Sequence, residues 1–272
     1  MFSEKDIEQI KNRGTNIAVA TQQIEQFKKG FDFIQLTAIA AVGKGVLQLS
    51  TAEAKTMAAY YDEHIQNHEV LKFVPASGAA SRMFKDLLSF LNEDKEPKKE
   101  VLHFFENLHQ YAFYNDLENA LLTANHNLKE CLNTKNYKLI AEYLLTAKGL
   151  NYAALPKGLL KFHQYPSFIR TAIEEHLVEG AHYANAKGIV QLHFTVSSEH
   201  LLLFQKLIQS VQKQYEQLFN VTYAISYSIQ DPATDTIAVD LNNEPFREND
   251  GSLVFRPGGH GALIQNLNNL QG

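Results

Sequence analysis

The segment VPASGAASRMFK, residues 74–85, decides the predicted fold because it joins an apolar strand to a helix through a turn of small residues. Residues 70–74 are typical of a short buried strand, and residues 84–91 supply the apolar stripe of a helix. The turn between them consists of Ala76, Ser77, Gly78, Ala79, Ala80 and Ser81. Unpaired N–H groups and the positive end of a helix dipole attract an anion at such a junction, and Arg82 adds a bidentate donor for phosphate. The segment therefore predicts a phosphate-binding loop. An ordinary tight connection stays open as the alternative, because the Gly-Lys-Ser/Thr of a P-loop is missing.

The composition is that of a globular protein with one large domain or two smaller ones. The chain has 272 residues, of which 45% are hydrophobic and 20% charged, and its net charge is −5. Scattered Lys and Arg residues predict no nucleic-acid partner. The sequence has no run of about 18 apolar residues and no signal-peptide pattern, so we expect no membrane partner and a cytoplasmic location. Cys131, the single cysteine, excludes an intrachain disulfide and is expected to be a buried thiol.

The first 69 residues are predicted to form an N-terminal helical region. Residues 3–30 have helical spacing and Ser3 can act as a cap, while Ser50 and Glu53 form a capping box for a helix reaching about residue 68. Residues 34–49 are apolar but interrupted by glycines, and they fit either strand, turn and strand or a loop that covers a site.

Residues 70–272 are predicted to form an α/β domain that carries a helical insertion at about 92–150. After residue 150 the pattern indicates alternating helices and strands, at 166–180, 190–196, 198 to about 218, 220–229, 237–239 and 253–255, with a last helix after residue 261. Such alternation favours a mostly parallel sheet flanked by helices, with ligands bound at the carboxyl ends of its strands.

Two further loops are candidates for binding. Lys157 follows Pro156, which presents the ammonium group stiffly, and Gly158 is expected to keep the neighbouring backbone accessible; a plain surface lysine is the alternative. The segment RPGGHGA, residues 256–262, places three glycines around His260, which indicates close approach of a ligand to the backbone or else a simple turn.

Together these segments resemble the nucleotide-sugar pyrophosphorylases, which are sugar-1-phosphate nucleotidyltransferases with a Rossmann-like fold of the nucleotide-diphospho-sugar transferase (GT-A) type. Residues 76–82 are similar to their signature phosphate loop, and residues 155–160 resemble their Pro-Lys motif. Residues 193–197 look like their strand ending in Thr-Ser, and residues 257–261 look like the loop that lines their base and sugar pocket. The four segments follow one another in the family's order.

The chain as a whole resembles the N-terminal part of an uncharacterised bacterial family, domain of unknown function 4301. Ser77 and Ala80 depart from the pyrophosphorylase pattern, which prefers glycine at both positions. The pyrophosphorylases also carry a metal-binding aspartate after the glycine-histidine loop. We therefore expect the chain to be the N-terminal part of a longer protein and leave the metal ligands unassigned, with Asp231, Asp235 and Asp240 as candidates.

The resemblance implies the following activity. A nucleoside triphosphate and a sugar 1-phosphate would react to give a nucleoside-diphosphate sugar and pyrophosphate, with Mg²⁺ as cofactor. Arg82 and Lys157 would be the catalytic cations. Nucleotide-binding positions would be Ala76, Ser77, Gly78, Ala79, Ala80, Ser81, Thr195, Gly258, Gly259, His260 and Gly261. The base, the sugar and the oligomeric state are not specified. Two other classes stay open: a non-catalytic module that binds nucleotide or sugar phosphate, and a scaffold whose helical insertion binds another protein.

Overall fold

The computed structural model is a mixed α/β protein and describes residues 2–78, 80, 82–93 and 96–270, with only the backbone described at His260. The chain divides into two compact units. The terminal unit consists of residues 1–69 and 229–272, and the central unit consists of residues 70–228. The boundary at residue 70 coincides with the predicted domain start, whereas residues 229–272 group with the N-terminal region.

The terminal unit begins with the two predicted helices, α1 (Glu4–Asn12) and α2 (Ile17–Lys29). Ser3 caps α1 in a capping box with Asp6, and α2 ends at Gly30, whose φ of 75° lies in the left-handed region that glycine tolerates. The small core of this unit lies where these two helices meet the unit's C-terminal segment. Its buried side chains are Ile10, Ala20, Ile24, Ile237 and Leu253.

The remaining elements of the terminal unit are short, apart from one helix. β1 (Ala41–Val42) and β2 (Gly45–Val46) pair around a turn, so residues 34–49 contain a strand, a turn and a strand. Helix α3 (Thr51–His64) begins with the predicted capping box of Ser50 and Glu53. Near the end of the chain lie β9 (Thr236–Ile237), the antiparallel β10 (Phe255–Arg256), a 3-10 helix (His260–Leu263) and α11 (Ile264–Asn268).

A buried carboxylate ties the first helix to the second segment of the terminal unit. Asp6 is 3% exposed, and its two carboxylate oxygens accept hydrogen bonds from Nη1 and Nη2 of Arg247 at 2.8 and 2.9 Å. The Arg247 guanidinium holds the pKa of Asp6 well below its ordinary value near 3.8. The charged form of Asp6 therefore stabilises the folded state above about pH 4, and that contribution is lost as the pH falls further.

We expect Asp6→Asn to lower the free energy of unfolding by about 2 kcal/mol at pH 7, because Arg247 loses its charged partner; the partial exposure of Arg247 keeps the cost below that of a fully buried pair. Urea denaturation at several pH values measures the difference, which should shrink as the pH falls below about 4. Glu8→Gln, an exposed change on the same helix, is the control. A difference between Asp6→Asn and the parent chain that does not change with pH would contradict the assignment.

The main sheet of the central unit has four strands: β3 (Leu71–Pro75), β6 (Asn185–Ala186), β7 (Ile189–Val196) and β8 (Thr222–Ile229), whose last residue is counted with the terminal unit. β3 and β7 are parallel, β6 and β7 are antiparallel, and β8 also pairs with β7. A separate antiparallel pair consists of β4 (Lys161–Gln164) and β5 (Ile169–Thr171).

The sheets are therefore small and mixed, where the sequence predicted a mostly parallel sheet. One reason lies in the turn between β6 and β7. Lys187 and Gly188 both have positive φ, 55° and 77°, which is the backbone of a two-residue hairpin turn. This turn returns the chain antiparallel to itself at the start of the central strand.

Two helices pack against the main sheet, α9 (Ala172–Tyr183) and α10 (Leu201–Phe219), around a core that includes Phe194 and Phe204. The predicted helix at 166–180 was wrong in its bounds, because residues 169–171 form β5 and the helix continues to residue 183. Gly180 does not end the helix. It is buried, and a Cβ there would lie 2.8 Å from Cγ1 of Val190, so glycine at this position allows the helix to approach β7 closely.

The stretch predicted as a helical insertion, at about 92–150, contains α5 (Lys99–Glu106), α6 (Tyr114–Thr123), α7 (Leu128–Asn133) and α8 (Tyr137–Leu145). Helix α4 (Lys85–Asn92) precedes it. These helices share a core of their own, and Cys131 lies in it as the predicted buried thiol. Among the helices that the structure describes, none combines the length and the apolar character needed to cross a membrane.

Candidate functional site

Three of the four sequence motifs meet at one edge of the main sheet. Pro75 at the end of β3 is paired with Thr195 near the end of β7, so the two parallel strands finish together. The Ala76 N–H donates to the Thr195 carbonyl at 2.9 Å. The next residues of the loop bond to the Pro-Lys motif: the Ala80 N–H donates to the Leu155 carbonyl at 3.2 Å. The Lys157 N–H donates in turn to the Gly78 carbonyl at 3.1 Å.

Two cations, Arg82 and Lys157, lie on or next to the segments that these hydrogen bonds join. Arg82 lies in the turn after the small-residue loop, and Lys157 begins a 3-10 helix (Lys157–Leu159). Both residues are exposed, and neither forms an ion pair with another residue in the described part of the chain. Both cations are thus accessible to an anion, and no carboxylate in the described part of the chain neutralises either of them.

The predicted direct junction between the loop and a helix was wrong. Helix α4 begins at Lys85, and a turn at residues 82–84 separates it from the loop. The N–H of Ala80 is already used by the Leu155 carbonyl, so it cannot also bind a phosphate. Gly78 is exposed, and a Cβ there would have nothing within 4 Å. Ala79 and Ser81 lie outside the described residues.

Gly158 has a packing role, which corrects the expectation that it keeps the backbone accessible. A Cβ at this position would lie 3.0 Å from Cζ of Phe204 and 3.3 Å from Cγ1 of Ile173. Both side chains are fully buried in the core of the main sheet. The glycine therefore allows the Lys157–Leu159 turn to sit directly on α9 and α10, which fixes the position of Lys157.

Thr195 lies beneath the loop rather than on its surface. The residue is fully buried, and its Oγ1 has no hydrogen-bond partner within the described ranges. A buried hydroxyl that is left unpaired costs free energy, on the order of 1–3 kcal/mol. A donor or acceptor brought to this edge of the sheet would recover that cost, so Thr195 is a candidate contact for a ligand.

The neighbouring polar side chains of β7 are already engaged. His193 is buried, and its Nδ1 and Nε2 each lie 2.8 Å from a serine hydroxyl of β8, those of Ser226 and Ser228. Burial lowers the pKa of His193, so the ring is neutral at pH 7 and links the two strands. Ser197 Oγ lies 2.7 Å from Nδ1 of His200, within the turn that opens the next helix.

The fourth motif belongs to the terminal unit. A Cβ at Gly258 would lie 2.8 Å from both the Ala262 Cβ and the Thr234 carbonyl oxygen, so this glycine is required by packing within its own loop. Cβ atoms at Gly259 and Gly261 would meet nothing within 4 Å. The His260 backbone opens a 3-10 helix, and its side chain lies outside the described part of the chain.

The three candidate metal ligands already have partners within the terminal unit. Asp231 and Asp240 accept hydrogen bonds from backbone N–H groups of their own turns, and Asp235 forms an ion pair with Arg13. Within the described ranges no three His, Cys, Asp or Glu residues are grouped to hold a metal ion. The donor set that the structure describes therefore does not fit a Mg²⁺ ion held by the protein alone.

Sequence reasoning missed a cavity of about 380 Å³ in the central unit, beside the turn that follows Arg82. Its walls are mainly apolar, with Lys161 and two glutamines among the lining residues; they include Met83, Phe84, Leu87, Phe104, Tyr111 and Phe113. The signal in the sequence was the density of aromatic residues in the helical insertion. That pattern predicts burial but not which rings leave a gap between them.

One comparison with known proteins gives a match. The sequence model of the family described as "Domain of unknown function (DUF4301)" matches residues 3–272. No curated protein and no solved structure matches the chain.

Proposed function

The chain belongs to the family of domain of unknown function 4301, and from its site we propose that it binds the phosphate groups of a nucleotide and acts as a sugar-1-phosphate nucleotidyltransferase. One observation carries the proposal. The loop at residues 76–80, the Pro156–Lys157 motif and Thr195 are joined by hydrogen bonds at the shared end of β3 and β7. Ligands of α/β proteins bind at such strand ends, and exposed cations there favour phosphate.

The finer fold is part of the same proposal. We take the central unit to be a GT-A type domain built on the parallel pair of β3 and β7. The parallel register from Leu71 opposite Gln191 to Pro75 opposite Thr195 supports this assignment, as does the placement of the phosphate loop directly after β3. The antiparallel hairpin of β6 and β7 would then be a local addition.

In the proposed reaction an oxygen of the sugar 1-phosphate attacks the α-phosphorus of the nucleoside triphosphate. The bond from the α-phosphorus to the bridging oxygen breaks, and pyrophosphate leaves with that electron pair. Arg82 would hold the β- and γ-phosphates and stabilise the leaving group, while Lys157 would neutralise the α-phosphate or the sugar phosphate. The Gly78 N–H and the Thr195 hydroxyl are the proposed neutral contacts.

Mg²⁺ remains a proposed cofactor that would neutralise charge on the phosphates when bound. No step is assigned to it, because the described carboxylates do not form a site for it. A cytoplasmic location is proposed with the activity, since the single buried thiol of Cys131 suits a reducing compartment.

A non-catalytic binding module is the second candidate. It is favoured by the engagement of Asp231, Asp235 and Asp240 with other groups of the terminal unit and by the hydrogen bond of the Ala80 N–H to the Leu155 carbonyl. This module would bind nucleotide or sugar phosphate through the same cations without transferring a nucleotidyl group.

Ligand titration followed by an exchange assay separates the candidates. Thermal shift or calorimetry with UTP, ATP, CTP, GTP and UDP-sugars, each with and without Mg²⁺, measures binding, and exchange of labelled pyrophosphate into the triphosphate measures the reaction. Binding together with exchange supports the transferase, and binding without exchange supports the module. Failure to bind any of these ligands would contradict both and leave the protein-binding scaffold.

Gly78→Ala tests whether a ligand approaches the loop backbone. The structure has room for the added methyl group and Gly78 has no left-handed φ, so we expect the free energy of unfolding to change by less than about 0.5 kcal/mol. A bound phosphate would meet that methyl group, so affinity should fall about 10-fold or more. Calorimetric titration with the best triphosphate measures the effect, and Lys129→Ala, an exposed change in the helical insertion, is the comparison. Unchanged affinity would place the phosphates away from Gly78.

A further inference from the structure

A long segment of the terminal unit is fully exposed. From Glu25 to Glu63 every residue is exposed, and burial resumes only at Ile65, which is 7% exposed. We call residues 30–64 the arm; it contains the stretch after Gly30, the β1–β2 pair and helix α3. An ordinary surface segment of this length buries some side chains against its own protein, so the exposure calls for an explanation.

The exposed side chains of the arm are strongly apolar. Six large ones are at least 77% exposed: Phe31, Phe33, Ile34, Leu36, Ile39 and Leu47. Together they present on the order of 700 Å² of apolar surface, whereas the largest apolar patch on a typical monomer is about 300–600 Å². One partner in a standard protein interface buries about 800 Å². The arm therefore offers about the area that one side of a stable interface requires.

The backbone of residues 31–40, within the arm, lacks backbone partners in the described part of the chain. Residues 31–40 are in neither helix nor strand, and none of them has a backbone–backbone hydrogen bond to a residue of the described ranges. No ionisable side chain occurs between Phe33 and Gly43. A non-helical, uncharged and apolar segment with unpaired N–H and C=O groups is the kind of chain that adds as a strand to another chain.

Helix α3, which is part of the arm, has no buried residue that would account for its stability. It therefore gains no stability from burial in a core, and isolated helices shorter than about 12–15 residues are marginal in water. Ala54, Met57, Ala58 and Tyr61 share one face at helical spacing, and this face has no charged residue. A second surface against this face would supply the missing packing.

We propose that the arm is a homodimer interface in which a second copy of this chain covers it. Two identical segments can pair as antiparallel strands around a two-fold axis, since a residue that faces a given position of the other copy is then matched by the reciprocal contact. The uncharged stretch from Phe33 to Gly43 meets its own copy without like charges opposing each other. The exposed area agrees with the area one partner of a dimer buries.

The oligomeric state of the full chain tests this proposal. Sedimentation velocity or light scattering after gel filtration, from about 1 to 100 µM, should show a monomer–dimer equilibrium that favours dimer at the upper end. Replacing Phe33, Leu36 and Ile39 by Ser removes apolar contacts without touching a buried residue, and should raise the dissociation constant at least 10-fold. The control replaces three exposed leucines outside the arm by Ser, at Leu122, Leu218 and Leu241. It should leave the dissociation constant unchanged.

Hydrogen exchange gives a second measurement on the same samples. Amides of residues 31–40 should be protected at 100 µM and lose protection on dilution to 1 µM in the parent chain, while the arm variant stays unprotected at both concentrations. A monomer at all concentrations would overturn the proposal, whether the arm exchanges freely or is protected by its own chain. A dimer that survives the three arm substitutions would overturn it as well.

Discussion

Arg82→Ala should reduce nucleotide-dependent activity at least 100-fold, or abolish the stabilisation by nucleotide if the chain only binds. Arg82 is exposed, forms no ion pair within the described part of the chain, and lies in the turn after the loop that bonds to the Pro156–Lys157 motif. Loss of a bidentate charged contact to phosphate in a transition state costs about 3 kcal/mol, which is roughly 100-fold in rate. Because Arg82 is exposed, the melting temperature without ligand should be unchanged.

Kinetic and binding measurements together show which step of the proposed reaction depends on Arg82. Arg82→Lys keeps the charge but loses the planar pair of donors, so it should recover only part of the activity. Lys129→Ala removes an exposed cation from the helical insertion of the same unit and should behave like the parent chain. Loss of kcat with little change in KM would assign Arg82 to the leaving pyrophosphate, whereas a higher KM alone would assign it to ground-state binding. Unaltered kinetics in Arg82→Ala would refute the site.

Much of the local structure could be predicted because short-range rules determine it. The capping boxes at Ser3 and Ser50, the glycine end of α2 and the alternation in β7 depend on residues only a few positions apart. The strand before the phosphate loop was likewise evident from its apolar run. In these cases all the interacting groups lie within a few residues of one another in the sequence.

The site depends on contacts between residues that are far apart in the sequence. The hydrogen bonds that join residues 76–80 to residues 155–157 span the whole helical insertion. Gly158 and Gly180 had the sequence context of a loop residue and a helix end, yet both are glycine because a distant core side chain leaves no room for a Cβ. The order of the motifs suggested that they meet, but only the packing of α9 and α10 against β7 explains how Lys157 is held.

Gly149→Ala should destabilise the central unit by about 3 kcal/mol or more, the largest stability effect that we expect. A Cβ at this position would overlap the backbone carbonyl of Tyr143, and that carbonyl accepts the Leu150 N–H at 2.7 Å. Backbone atoms cannot rotate away as a side chain can, so the chain must shift or the hydrogen bond must break. Urea denaturation measures the loss, and Gly78→Ala, whose Cβ has open space, is the matched control. A cost below about 1 kcal/mol would mean that the turn after α8 relaxes freely.

The same substitution also tests what positions Lys157. Residues 149–153 fold back on the end of α8, where Tyr152 and Ala153 donate to the carbonyls of Leu144 and Leu145 at 3.1 and 3.2 Å. The backbone then continues to Leu155 and Lys157, which bond to the phosphate loop. If the backbone from residue 149 to Lys157 fixes the position of Lys157, Gly149→Ala should weaken nucleotide binding at temperatures where the variant is still folded. Undiminished binding in the folded variant would instead mean that packing of Gly158 against Phe204 is sufficient to place Lys157.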